Sequence, residues 1–163
     1  MIVDKFNWNV EATVRRWDRS EDHDAGLTPD SQDTYKGNLL LNNGIARLGS
    51  LLVGAGGTAY NAANSRIGVG NSTTAASAAQ TDLQGASKYF KLVDSAGWSA
   101  QTGTWVATFG SSDANFAWEE WGIDNGSSSG STVTTPLLNR KVTSMGTKAS
   151  GSTWTLTVTI TVS

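Results

Sequence analysis

The chain has no cysteine, only two prolines and one histidine, and no apolar run long enough to cross a bilayer. Without cysteine there is neither a disulfide framework nor a thiolate metal site, which suits folding in a reducing cytoplasm. A spanning helix needs about 20 consecutive apolar residues, so no membrane partner is expected. Met1-Ile2-Val3-Asp4 does not open like a signal peptide, and the protein reads as soluble and cytoplasmically made. Charge is also scarce, at 16% of 163 residues with a net of −2. A nucleic-acid binder needs a basic face to meet phosphates, so no nucleic-acid partner is expected either.

What is abundant is glycine, serine, threonine and tryptophan, the last present seven times, a mixture that suits β-rich proteins better than helical bundles. The clearest element is the end of the chain, where residues 153–162 read Thr-Trp-Thr-Leu-Thr-Val-Thr-Ile-Thr-Val. Period-two alternation puts Trp154, Leu156, Val158, Ile160 and Val162 on one face and the threonines on the other. No charge guards the edges of this strand, so it must be paired. Further strands are predicted at 65–70, 88–93, 102–109, 114–123 and 137–142, with turns at 125–130 and 146–152 and a long surface loop over 71–86. Alternation holds to Trp118 and resumes at Trp121 and Ile123 in the opposite phase, which predicts a β-bulge near Glu119-Glu120. Leu39, Leu40, Leu41, Ile45, Leu48, Leu51 and Leu52 recur at helical spacing. They predict a helix near 38–53 with Asn38 as N-cap and Gly54-Ala55-Gly56-Gly57 as its stop. The expected fold is mainly β (α+β): an antiparallel β-sandwich with one amphipathic helix and an extended N-terminal arm.

Residues 1–33 carry 12 of the 26 charged groups, four basic and eight acidic, while the remainder of the chain is slightly basic. They are expected to form a charged docking arm, with 34–163 as a single β-sandwich domain. Aromatic side chains and arginines concentrate binding energy at interfaces. Phe6, Trp8, Val10, Arg15, Arg16 and Trp17 are therefore the candidate docking residues.

The search for chemistry returns little. His23 among Asp18, Glu21, Asp22 and Asp24 could hold a metal by residue type, but the cluster reads as a solvated charged turn. No Gly-x-Ser-x-Gly elbow accompanies it, which argues against a serine hydrolase. Ile67-Gly68-Val69-Gly70 lacks the third glycine and the Lys-Ser/Thr of a phosphate loop; its glycines instead allow a neighbouring backbone or tryptophan to press close. Glu119 and Glu120 lie between Trp118 and Trp121, the composition of a sugar-cleaving site. Neighbours in a regular strand point to opposite faces, so they do not flank one bond unless a bulge re-aims one. Pairing of one glutamate with Arg140, Lys141 or Arg66 is the expected arrangement. Trp118 and Trp121 are candidates for a surface aromatic site that takes a sugar ring without cleaving it, with Trp98 as a further platform. Trp98, Trp105 and Trp154 otherwise read as core or inter-subunit packing. No catalytic, cofactor-binding or metal-binding residue is assigned.

Five motifs occur in a recognisable order: Asn38-Leu39-Leu40-Leu41-Asn42-Asn43-Gly44 followed by Ala46-Arg47-Leu48; Arg66 through Thr74; Gln80-Thr81-Asp82-Leu83-Gln84; Ala114 through Ile123; and Leu137-Leu138-Asn139-Arg140-Lys141-Val142 before the closing threonine strand. The series resembles small virion structural proteins of tailed bacteriophages. The resemblance implies a non-enzymatic part of the virion, decorating the head or belonging to the tail. Its partners would be the major capsid protein or a tail protein. Self-association, for example as a trimer, is expected from the hydroxyl-rich strand faces and the uncharged final strand. Asp82-Leu83 is expected to close the 71–86 loop onto the core.

Overall fold

The computed structural model describes residues 7–134 and 136–163. The chain is mainly β, two antiparallel sheets packed as a sandwich. Its elements in order are β1 (Trp8–Trp17), α1 (Ser20–Asp24), β2 (Ser31–Lys36), β3 (Leu39–Leu40), α2 (Asn42–Leu52), β4 (Ser65–Gly70), β5 (Lys88–Leu92), β6 (Ser95–Ser99), β7 (Thr102–Phe109), β8 (Ala117–Asn125), β9 (Asn139–Thr147) and β10 (Thr153–Val162). One sheet runs β2-β1-β10-β7-β6 and the other β3-β9-β8-β4-β5. Among the described residues no helix is long and apolar enough to cross a membrane.

The closing threonine strand is paired on both sides, as its uncharged edges require. β10 lies between β1 and β7, in register from Trp8↔Val162 to Trp17↔Thr153 on one flank and from Trp154↔Phe109 to Thr161↔Thr102 on the other. It therefore presents no free edge. Trp154, Leu156, Val158 and Ile160 are buried between the sheets. There they meet Val10, Ala12 and Val14 of β1 and Ile67, Val69, Trp121 and Ile123 of the second sheet. The phase slip in β8 is also present. Pairing with β9 shifts register between Trp118 and Glu120, so Trp118, Trp121 and Ile123 all reach the same core.

Residues 8–36 are not a separate arm. β1 is an inner strand whose Val10, Ala12 and Val14 face the core, with Glu11 and Arg15 exposed on the opposite face and Arg16 half-buried over Trp154. Residue 33, where the arm was expected to end, falls inside β2, which pairs with β1. Phe6 lies outside the described residues.

The helix begins later than expected. Leu39–Leu40 pair with Arg140 and Asn139 of β9, and the N-cap position falls to Leu41, which offers no side-chain cap. Asn38 instead accepts a hydrogen bond from Trp8 Nε1 at 3.2 Å. Chain termination at the glycine stretch holds: α2 ends at Leu52, and Gly54 takes φ +66°. At the other end Gly44 rests on the Leu138 backbone, where a Cβ would lie 2.2 Å from the carbonyl oxygen. Only glycine lets the helix sit this close.

The second sheet is covered on both faces, and every residue of β4 is buried. Its outer face carries two ion pairs. Arg66 Nε donates to Asp124 Oδ1 at 2.9 Å while its Nη2 contacts Asp124 Oδ2, and Arg140 Nε donates to Glu120 Oε2 at 2.6 Å. The long loop after β4 closes over the Glu120–Arg140 pair, while Arg66 and Asp124 are held by Ser128, Thr132 and Thr134 after β8. Leu83 is buried against Phe90, Leu41 and Leu137, Asp82 pairs with Lys88, and the Gln84 and Gly85 amides donate to the Glu120 carboxylate at 3.0 and 2.6 Å. The close approach expected at the β4 glycines is real, with the phenyl ring of Phe90 over Gly68 in place of a tryptophan. A Cβ on Gly68 would fall 2.4 Å from that ring.

Lys148, past the end of β9, is buried with its ammonium donating to Gly110 O at 2.7 Å and Asn115 Oδ1 at 2.9 Å. Burial pulls its pKa down to about 8 from 10.5. Between those two values the unfolded chain holds more protons than the native one, so stability rises with pH across that window. Lys148→Met lacks this titration. Its melting temperature relative to the wild type should therefore fall as pH is raised from about 8 towards 10.5 in parallel thermal melts. A difference independent of pH would contradict the assignment.

Candidate interaction surface

The helical spacing of α2 implies a stripe that seeks burial, yet only Gly44 of the helix is fully buried. Ile45 is 52% exposed and Leu52 87%, with Val53 just beyond at 75%. This face overhangs the end of the sandwich where β1 begins and β10 finishes. The result is an open groove of about 570 Å³ lined by α2, Trp8, Leu40, Tyr60, Trp98, Trp105, Leu138, Ile160 and Val162. The lining is almost wholly apolar, because its polar atoms are committed within the fold. Trp8 Nε1 donates to Asn38, Trp98 Nε1 to Ala100 O at 2.8 Å and Trp105 Nε1 to Tyr60 O at 3.0 Å. The Tyr60 hydroxyl donates to Pro136 O at 3.0 Å, and burial pushes its pKa well above the ordinary phenol value. Arg47 fixes the helix from its other side, with Nη1 donating to Thr58 O at 3.0 Å and Asn125 Oδ1 at 2.8 Å. What remains at the groove is ring and aliphatic surface, the kind that marks an interaction site when contiguous and exposed.

Of the described residues expected to dock a partner, Trp8 alone belongs to this groove. Val10 is 3% exposed and faces the core. Arg15 is exposed and donates to Gln32 Oε1 at 2.7 Å across the β1–β2 pair. Arg16 is held by Asp33 and Met145 O, both at 2.6 Å, and lies over the Trp154 ring. Trp17 is buried, donates to Leu27 O at 2.8 Å and meets the His23 ring edge-on. These side chains stabilise the first sheet and its hairpin. They do not form one surface.

The surface aromatic site expected at Trp118 and Trp121 is overturned, since both side chains are completely buried. Trp118 packs edge-on between Phe109 and Trp154 at ring separations of 4.7 and 4.9 Å, with its Nε1 bonded to Ala114 O. Glu120 is sealed beneath the loop with Arg140, the arrangement expected of one glutamate. Glu119 is half-buried and accepts from Ser144 Oγ at 3.0 Å. His23 Nδ1 lies 3.2 Å from Asp24 Oδ1. Among the described residues no group of three or more His, Asp or Glu converges as metal ligands would. The groove itself was not anticipated. Its signal was present in the helical repeat, whose apolar positions outnumber what an 11-residue helix on a sheet end can cover.

No known family, curated protein or solved structure matches this chain.

Proposed function

We propose that this protein is a non-enzymatic structural component of a tailed-bacteriophage virion that decorates or reinforces the capsid surface through multivalent contacts. The single observation that carries the docking mechanism is the apolar groove rimmed by Ile45, Leu52 and Trp98 on an otherwise well-closed sandwich. The order of the five sequence motifs supplies the virion setting. In this reading the groove accepts an apolar segment of the major capsid protein, and weak copies on a repeating lattice gain avidity from one another. A part that binds only the assembled lattice stabilises it by mass action. The groove is equally compatible in chemistry with a tail protein, and the location assay below separates the two.

Ile45→Asp and Leu52→Asp test the docking face. Both side chains are more than half exposed, so stability should change by no more than about 0.5 kcal/mol. Incorporation into particles lacking the protein, measured by co-sedimentation, should fall by about tenfold or more, since each charge would have to be desolvated in an apolar contact. Wild-type incorporation by both variants would remove the groove from the mechanism.

One observation favours a second reading, a glycan- or receptor-binding module. Trp98 is 58% exposed and presents its ring to solvent with the indole N–H already satisfied. Aromatic faces of this kind stack on sugar rings. A glycan that binds the wild type and is lost in Trp98→Ala would favour it over lattice docking.

A further inference from the structure

We propose that β6 is a self-association edge, at which two copies of this chain pair their Ser95–Ser99 strands antiparallel about a two-fold axis at Gly97. Pairing would join two five-stranded sheets into one continuous sheet.

The two sheets have four edge strands, and three are protected. β2 carries Asp33 and Lys36, the first engaged by Arg16 and the second by Glu11. β5 carries Lys88 and Lys91, and its outer side is taken by a two-way bridge between Phe90 and Gly130 at 2.7 and 2.9 Å. β3 is two residues long. Charge, cover and brevity are the usual protections against edge-to-edge pairing. β6 has none of them. It is five residues long, and no charged residue occurs between Asp94 and Asp113.

The backbone of β6 also fits a copy of itself. Ser99↔Thr102 closes a two-residue turn at Ala100-Gln101, so Ser99, Gly97 and Ser95 exchange hydrogen bonds with β7. The N–H and C=O groups of Ala96 and Trp98 consequently point away from the sheet. Outside the hairpin no backbone bond to either residue occurs among the described residues. An antiparallel pair centred on Gly97 sets Ala96 opposite the second copy's Trp98, and Trp98 opposite its Ala96. All four outward positions then bond, and each large ring faces a methyl group. At the axis two glycines face one another, and a Cβ on Gly97 would meet nothing within 4 Å, so nothing on that face obstructs approach. With no charge on either strand there is no like-charge cost across the axis. The inner-face side chains Ala96 and Trp98 adjoin Tyr60 and Trp105, so the contact is continuous with the apolar groove and covers the exposed face of Trp98. A two-fold interface requires this reciprocity, in which each residue meets its counterpart's neighbour.

The inference is independent of the virion reading and is tested on the isolated protein. Sedimentation velocity over a concentration series should show a monomer–dimer equilibrium. Gly97→Lys places like charges at the axis and should weaken it by about tenfold or more, with the circular dichroism of the monomer unchanged. Cysteine supplies a second, register-specific readout, because the chain has none of its own. Gly97→Cys brings two thiols to facing positions at a Cα separation of about 4.5 Å, and mild oxidation should give a covalent dimer. Ser95→Cys places them about 13 Å apart along the strands and should not cross-link. A monomeric wild type whose Gly97→Cys form fails to cross-link would overturn the proposal. So would a dimer insensitive to Gly97→Lys that cross-links equally through Ser95→Cys.

Discussion

Replacing Arg140 with methionine should destabilise the protein by about 3–5 kcal/mol, the usual cost of stripping one partner from a buried ion pair. Arg140 and Glu120 are both fully buried. Besides binding Glu120, the guanidinium donates to Gln80 Oε1 and Thr74 O, each at 2.8 Å. The carboxylate in turn accepts the Gln84 and Gly85 amides. The pair thus fastens the 71–87 loop to the outer face of the second sheet. Methionine fills much of the same volume but leaves an unneutralised carboxylate under that loop. Combining Arg140→Met with Glu120→Leu removes both charges, and the double variant should lose less stability than Arg140→Met alone in urea titrations. A double variant less stable than the two single losses added together would show that the loop depends on the ions themselves. The same burial removes Glu120 from any role in sugar cleavage, since no glycosidic bond reaches it.

The second large effect is expected at Trp118. Trp118→Ala should cost about 3–5 kcal/mol, because the indole is completely enclosed and surrounding groups relax only partly into the space left behind. Phe109 and Trp154 would each lose an edge-on ring contact, and Ala114 O would lose the indole N–H it accepts. Chemical denaturation with tryptophan fluorescence reads this directly. A loss under about 1 kcal/mol would mean that the ring is not packed as described.

The legible parts of the fold are those in which one face is wet and the other buried. The threonine alternation of β10 and the phase slip between Trp118 and Trp121 both follow from period-two geometry, and both are present. β2 and β6 escaped notice for the opposite reason. Ser31-Gln32-Asp33-Thr34-Tyr35-Lys36 is largely exposed, and Ser95-Ala96-Gly97-Trp98-Ser99 is short and small-sided, so neither edge strand carries an alternation. The charged leader reads as a docking arm because its charge and aromatic density exceed those of the rest of the chain. In the fold Glu11 and Arg15 lie on the exposed face of β1 and Glu21, Asp22 and Asp24 on the α1 turn, while Val10, Ala12 and Val14 supply an inner strand. Leu39 and Leu40 fit the helical period but are drawn into pairing with β9, a tertiary choice that local spacing does not encode. The candidate site was less legible still. Trp118 and Trp121 have a surface-site composition, yet one core takes both rings, whereas the apolar side chains of α2 that suggest a core stripe remain partly exposed.

The central claim, that the groove beside α2 seats this protein on a virion lattice, is tested most directly by cryo-electron microscopy of phage particles lacking the protein, after it is added back. The account predicts regular density on the head, with Ile45 and Leu52 turned towards the capsid protein. Density confined to the tail would contradict the capsid assignment, and lattice density with α2 facing solvent would contradict the docking mechanism. Absence of density from both head and tail would contradict the virion role itself.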